Sequence, residues 1–253
     1  MQSILRIRLC TQLLAALVGL LLVVPTQAQQ AQQALQVGRT DLESPISEIV
    51  ERVVNEALRR RGLTAQYQLM PLPRSIALAN DGALDADLLR IADVAKQFPN
   101  LVMVPTAVAT VYVALYSRDA KQVNLPRAEV AKLRIGLPRG IIILVKSSVG
   151  MNVSDTQTVF KAFDMLRNDR FDIAMLAHID AELEMAKHNI TGLARRPSYW
   201  AAEPVYFYVN KKHQALVPVI DSALQEMQKE GLINKYYEEG LQKINVKLLK
   251  PVS

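Results

Sequence analysis

Four basic side chains stand where predicted strands and helices begin or end, and each has the chemistry to recognise an anion. They are Arg74, Arg90, Arg139 and His178. A guanidinium can hold a carboxylate through two parallel N–H bonds, and an imidazole can donate or accept a hydrogen bond. These four residues are the predicted ligand-binding set, and each has a structural alternative.

Two of them, Arg90 and Arg74, belong to the first half of the chain. Arg90 directly follows a predicted strand, Leu84 to Leu89, and ligands of open α/β sheets bind outside the carboxyl ends of the strands. A salt bridge to Asp87 or Asp93 is the alternative. Arg74 stands at a predicted helix start, where the helix dipole disfavours a cation and so indicates an anionic partner. A salt bridge on the helix face is the alternative there.

The other two belong to the second half. Arg139 precedes Gly140 in a loop where backbone N–H groups at a helix start are expected to cradle an anion. His178 follows a second predicted strand, Phe171 to Leu176, much as Arg90 follows the first. A hydrogen-bonded wall residue is the alternative for this histidine.

Catalytic and metal-binding patterns are missing from the sequence. The three histidines, His178, His188 and His213, have no metal-site spacing, and the sequence has no Gly-x-Ser-x-Gly elbow and no glycine-rich phosphate loop. An enzyme would need an acid or base in a cleft, for which only His178 and Glu203 are available. No catalytic residue, metal or cofactor is therefore predicted.

The elements that would position the four side chains come in two similar sets. Residues 80–89 and 168–176 each begin with Asn-Asp and enter an apolar run that starts at an aspartate, Asp85 or Asp172. Each pattern predicts a helix, a tight turn and a buried strand, with a structural turn role for the aspartate. Chance similarity of two short segments is the alternative. Two such units predict two α/β lobes that face each other across a cleft.

The first lobe has the clearest helix in the sequence. Ser44 is the predicted N-cap, Pro45 the first helical residue, and apolar residues then recur with helical spacing until Gly62. Strands before and after this helix give the order β-α-β-α-β, which is typical of a mostly parallel sheet. In the second half, Ile141 to Val145 has strand propensity at a position where a helix is expected.

Two long runs of alternating tyrosines and aliphatic residues, Thr110 to Arg118 and Glu203 to Lys211, are predicted to cross between the lobes. Lobe 1 is then residues 34–112 with 208–253, and lobe 2 is residues 113–207. Hinge bending at the two crossovers would close the lobes around a ligand.

Several segments carry a resemblance to a known family; they are Leu35 to Gly38 with the following helix, the two helix-turn-strand units, Lys132 to Gly136, and Leu224 to Tyr237. These segments resemble the bacterial extracellular solute-binding proteins of family 3. The resemblance implies a two-lobed α/β fold of the periplasmic-binding-protein type II class. It also implies an amino-acid-type ABC importer as partner.

The sequence departs from that family at its ligand-binding motifs. The loop at residues 39–45 has no aromatic residue before its proline, and residues 139–142 lack the hydroxyls of the family's carboxylate cradle. The aspartate that would pair with an α-ammonium falls at or next to His178. The resemblance thus implies a kept fold with a changed or lost amino-acid ligand.

The predicted function is capture of a small polar or anionic solute between two lobes, by a monomer that serves an ABC-type importer. A ligand-sensing module for a signalling receptor is one alternative. An enzyme of the cyclohexadienyl dehydratase type on the same fold is the other.

The first 28 residues predict a cleaved signal peptide. Arg6 and Arg8 precede an apolar stretch from Leu13 to Val24, and a small-residue pattern ends at Ala28. The stretch is shorter than the roughly 20 residues that span a bilayer. Cys10, the only cysteine, precedes the apolar stretch, so it is not a lipoprotein cysteine. A periplasmic, unanchored protein without disulfides is predicted.

The predicted mature chain has a mild positive charge. The full sequence has 30 Lys and Arg against 24 Asp and Glu, and removal of Arg6 and Arg8 leaves 28 against 24, a net charge of +4. The basic residues form no stripe with interleaved aromatics, so nucleic acid is not a predicted partner.

Overall fold

A computed structural model describes residues 34–41 and 44–246 of the chain. The predicted signal peptide, residues 1–28, lies outside the described residues. Within the described ranges, no helix combines the length and the apolar character needed to cross a membrane.

The described residues form ten strands and nine α-helices. The strands are β1 Leu35–Thr40, β2 Ala65–Met70, β3 Ala86–Ile91, β4 Leu101–Met103, β5 Ala109–Ser117, β6 Ile135–Pro138, β7 Val153–Thr156, β8 Ile173–Ala177, β9 Ala194–Arg195 and β10 Ala201–Asn210. The α-helices are α1 Pro45–Arg59, α2 Leu72–Asn80, α3 Ala120–Val123, α4 Arg127–Val130, α5 Ile142–Ser147, α6 Val159–Arg167, α7 His178–Lys187, α8 Val217–Lys229 and α9 Leu232–Lys243. Two 3₁₀ helices span Ala92–Lys96 and Lys211–Leu216.

The strands follow the hydrogen-bonded order β2-β1-β3-β10-β5-β8-β6-β7, with β4 beside β10 and β9 beside β5. Two parallel sets, β2-β1-β3 and β8-β6-β7, lie at the ends of this path. Between them run the two long strands β5 and β10, which are antiparallel to their neighbours. Residues 201–205 of β10 pair with β5, and residues 205–210 pair with β3 and β4. The residue bounds of the lobes stay a prediction.

The aspartates of the two helix-turn-strand units fasten their strands to a neighbour. The side chain of Asp85 accepts the backbone N–H of Gln36 at 2.8 Å, and its own N–H donates to the carbonyl of Gln36 at 2.8 Å. Asp172 makes the same two bonds with Arg134, at 2.8 Å and 2.9 Å. The structural role predicted for both aspartates is confirmed.

Several predicted element bounds are corrected. β3 runs to Ile91, so Arg90 lies inside the strand and not past it, and helix α7 begins at His178 itself. Ile142 to Val145 lie in helix α5, with Ile141 as its N-cap, because burial of Ile143 and Leu144 outweighs the strand propensity of the β-branched residues.

The cap predicted at Ser44 is also corrected. Ser44 does precede α1, but its hydroxyl makes no capping bond. It donates instead to the carboxylate of Asp180 on α7, at 2.7 Å. The residue thus joins two distant segments of the chain.

Candidate functional site: a cleft with a buried arginine

Two adjoining cavities form a cleft beside the carboxyl ends of β1, β3, β6 and β8. The first, about 570 Å³, is called the Arg139 cavity, and the second, about 350 Å³, the Arg90 cavity. Both are lined by Ser44, Leu72, Pro73, Gly140, Ile141 and Asp180. Residues from the first and second halves of the chain therefore face each other across one space.

The Arg90 cavity has mainly apolar walls. Its aliphatic and aromatic lining comprises Ile46, Leu72, Ile76, Leu89, Ile91, Phe98, Val111, Ile141, Ile142, Ile143 and Val205. Among the described residues that line it, only Arg90 and Asp180 are charged. Apolar walls with a few placed polar groups are typical of small-molecule sites.

Arg90 is buried, with a side chain only 6% exposed. Its Nη2 donates to Asp87 Oδ2 at 2.9 Å and to the carbonyl of Leu72 at 3.2 Å, and Nη1 donates to the carbonyl of Leu89 at 2.9 Å. Its Nε is buried with no hydrogen-bond partner among the described residues. Three of the five N–H groups of the guanidinium are thus bonded, and the buried Nε–H is one of the two that are not.

Asp87 completes a buried ion pair with Arg90. Its carboxylate, 1% exposed, also accepts the hydroxyl of Ser75 at 3.0 Å. Burial raises the pKa of Asp87, while the neighbouring guanidinium opposes that rise. The salt bridge to Asp87, named above as the alternative role of Arg90, is present in the structure.

Asp180 is the second charged residue of the cleft, and sequence reasoning missed it. It lies in the first turn of α7, and burial raises its pKa to about 6, with the Ser44 hydroxyl acting in the opposite sense. The one feature of the sequence that could have indicated Asp180 is the position of this acidic residue shortly after the predicted strand Phe171 to Leu176. The Ser44 partner that places it in the cleft is 136 residues away.

Arg139 is exposed and lines the larger cavity beside Gly140. Its backbone N–H donates to the carbonyl of Thr156 at 3.0 Å, which fixes the loop after β6. Arg139 and Arg90 therefore contribute to two adjoining cavities of one cleft.

Comparisons with known proteins identify this architecture. The GluR0 ligand-binding core in complex with L-glutamate superposes with a TM-score of 0.70 at 14% identity, over 83% of this chain and 99% of that one. A histidine kinase sensor domain with similarity to periplasmic binding proteins gives 0.66 at 16%, over 83% and 96%. An ancestral arginine-binding protein bound to arginine gives 0.63 at 18%, over 81% and 97%.

The chain has the two-lobed fold of the periplasmic binding proteins. The fold class predicted from the sequence is thereby confirmed, and so, at the level of the fold, is the resemblance to solute-binding proteins of family 3. No family model matches the sequence. An uncharacterized protein of Shewanella oneidensis is 21% identical over 198 residues, 75% of each chain.

Within this periplasmic-binding-protein fold, His178 lies away from the cleft lining. It is fully buried at the start of α7, with its Nε2 3.8 Å from Glu182 Oε1 and 3.5 Å from Arg195 Nη1, and its ring edge-on to Tyr199. Burial lowers the pKa of His178 to about 4, so the imidazole is neutral at pH 7. These contacts fit the wall-residue alternative, and a ligand role stays a prediction.

Arg74 is exposed on α2. It is not among the residues that line either cavity, although its neighbours Leu72 and Pro73 are. It makes no ion pair within the described part of the chain. A ligand role for Arg74 stays a prediction without support from the cleft geometry.

An ion-pair cluster outside the cavity lining joins the two halves of the chain. Lys146 on α5 bonds Glu203 on β10 at 2.8 Å and Asp93, just after β3, at 3.0 Å. Glu203 is not among the residues that line the two cavities, and neither is His178. The two acid-base candidates of the sequence thus both lie outside the cleft lining. Among residues 34–41 and 44–246, no group of three or more metal-ligating side chains is arranged around a common point.

Proposed function

We propose that this protein captures a small solute in the cleft and closes its two lobes around it. The observation that carries the proposal is the buried Arg90, which lines a cavity formed by both halves of the chain and whose Nε–H has no partner among the described residues. The cavity volumes fall in the range of small-molecule sites. The GluR0 core and the arginine-binding protein of similar fold hold L-glutamate and arginine.

A ligand screen with a matched pair of cleft variants tests this proposal. Amino acids, organic acids, amides and polyamines are screened by thermal shift, and positives are measured by calorimetry. Leu72→Trp fills both cavities and should abolish binding, whereas Leu69→Trp, on an exposed strand position outside the lining, should leave it intact. Binding that survives Leu72→Trp would place the ligand elsewhere.

The partner is proposed to be an ABC-type importer, which this protein serves as a periplasmic monomer exported by its first 28 residues. Support for export comes from the short apolar stretch before Ala28. A deletion strain should lose uptake of the radiolabelled solute that the screen identifies. Mass spectrometry of the periplasmic fraction should find a chain that begins at Gln29.

A ligand sensor is the second candidate function, because one of the similar structures is a histidine kinase sensor domain. A sensor would transmit closure of the lobes to a signalling partner. In the same deletion strain, uptake would then remain normal while the transcriptional response to the solute disappears. The two functions thus predict opposite results from one strain.

A further inference from the structure

The charge around Arg90 is already balanced within the protein. Asp87 lies 2.9 Å from the guanidinium, and both side chains are more than nine-tenths buried. The other charged residue of the Arg90 cavity, Asp180, is acidic. The cavity therefore has no uncompensated positive charge among its described residues, and a buried anion would find none to offset the cost of its dehydration.

The free Nε–H of Arg90 nevertheless requires an acceptor. A buried donor without a partner costs stability, and a ligand oxygen placed there would recover the missing hydrogen bond. The aliphatic walls of the cavity favour an apolar body for the rest of that ligand.

The second lobe shows that the fold does not require this ion pair. In the parallel pairings, Gly38 lies opposite Asp87, and Gly136 lies opposite Ala174. Ala177, three residues after Ala174, occupies the position of Arg90. Lobe 2 thus has two alanines at the positions where lobe 1 buries the Asp87–Arg90 ion pair. This difference indicates that the ion pair has a role beyond folding.

We propose that the ligand is uncharged, with an apolar body and a carbonyl-type oxygen that accepts the Nε–H of Arg90. This inference rests on the proposed function and narrows its ligand class. It sets this cleft apart from the similar structures that hold glutamate or arginine, both of which carry charged groups. A neutral head group can take the free donor without adding net charge to the buried pair.

Four probes with the same six-carbon chain test the head group by calorimetry at pH 7.5. They are hexanamide, hexanoate, hexylamine and L-norleucine. Hexanamide should bind at least tenfold more tightly than the anion, the cation and the zwitterion. Tighter binding of any charged probe would overturn the inference, and so would failure of all four when the wider screen finds a ligand that Leu72→Trp excludes. That last result would leave the proposed function standing.

A double variant tests the role of Arg90 without leaving an unpaired charge. Asp87→Ala with Arg90→Ala copies the alanines of lobe 2, so the protein should fold with a melting temperature close to the parent. Hexanamide affinity should fall at least tenfold. Glu129→Ala with Lys132→Ala removes an exposed ion pair of the same spacing outside the lining of both cavities, so this control should alter affinity less than threefold. Unchanged hexanamide affinity in the double variant would overturn the inference.

Discussion

The two helix-turn-strand units share their fastening but differ in what their strands bury. Asp85 and Asp172 hold the neighbouring strand through the same pair of bonds, to Gln36 and Arg134. Two residues into the strand after the aspartate, however, lobe 1 has Asp87 and lobe 2 has Ala174. The common part joins neighbouring strands, and the different part lies three residues before Arg90 and Ala177, which line the Arg90 cavity.

A second shared feature is a glycine two residues after Gln36 and after Arg134, the residues whose backbone amides the two aspartates bind. A Cβ on Gly38 would lie 2.1 Å from Ser75 Oγ, and one on Gly136 would lie 2.2 Å from the ring of Phe171. Both strands need glycine because a neighbouring side chain packs against the backbone. In lobe 1 that neighbour is the hydroxyl that bonds Asp87, and in lobe 2 it is an apolar ring. The same backbone feature thus accommodates a buried polar cluster in lobe 1 and an apolar contact in lobe 2.

The largest effect should come from breaking the buried pair of lobe 1. Arg90→Met leaves the Asp87 carboxylate buried without its cation, which should lower the free energy of unfolding by about 3–5 kcal/mol. Urea denaturation measures the loss. The Asp87→Ala, Arg90→Ala double variant is the control and should be markedly more stable than Arg90→Met. Equal stability of the two variants would show that the charge of Asp87 is not what destabilises the single variant.

A smaller difference in stability is expected between variants of the two strand-joining aspartates, Asp85 and Asp172. Burial disfavours the Asp85 carboxylate, but Lys212, the Gln36 amide and His213 lower its pKa to about 2. The Arg134 guanidinium lowers the pKa of Asp172. Because both carboxyl pKa values are depressed in the folded state, their stabilisation is present above about pH 4 and is lost as the pH falls toward the folded values.

Asparagine variants measure how much each carboxylate contributes to the free energy of unfolding. Asp85→Asn should cost about 1–2 kcal/mol at pH 7, since it loses the ion pair with Lys212 and weakens the hydrogen bonds with the Gln36 amide and His213. Asp172→Asn should cost about 0.5–1 kcal/mol, since its arginine is half-exposed and screened by solvent. Each variant should show a weaker loss of stability than the parent between pH 5 and pH 2.5. A larger loss of unfolding free energy in Asp172→Asn than in Asp85→Asn would contradict this prediction.

How far the sequence predicted this structure depends on the range of the interactions. Helix α1 and the aspartate turns were predictable because helical spacing and turn residues are local patterns. Asp180 was not, because the Ser44 contact and the burial that raises its pKa come from a distant segment. The α5 segment was ambiguous for the same reason, since burial of Ile143 and Leu144 decides between two local propensities.

Candidate arginines show the same limit. Position after a predicted strand selected Arg90, and Asp87 was recognised as a potential partner from sequence proximity alone. The unpartnered Nε could not be foreseen, because its burial and the bonds from the Nη atoms to the carbonyls of Leu72 and Leu89 depend on packing. Arg74 was selected by the helix dipole argument, yet it lies at an exposed position where water screens that dipole.

The smallest expected effect concerns Trp200, which can sharpen the boundary between the lobes. Its indole N–H donates to the carbonyl of Ser147 at 3.2 Å, and the guanidinium groups of Arg127 and Arg196 lie 4.9 Å and 5.5 Å from its ring. All three partners fall within residues 113–207, the predicted lobe 2. The ring should therefore move with that lobe, and its fluorescence should stay unchanged when a ligand binds.

A matched reporter makes this flat signal informative. Tyr112 on β5 stacks on Tyr199 with ring centroids 4.2 Å apart and meets Tyr237 edge-on at 6.5 Å, so it has one neighbour in each predicted lobe. Tyr112→Trp, made together with Trp200→Phe, should give a saturable emission change that tracks occupancy measured by calorimetry, because closure alters the spacing of those neighbours. A saturable change in the fluorescence of Trp200 itself would contradict its assignment to the body of lobe 2. The hinge would then lie nearer the start of β10.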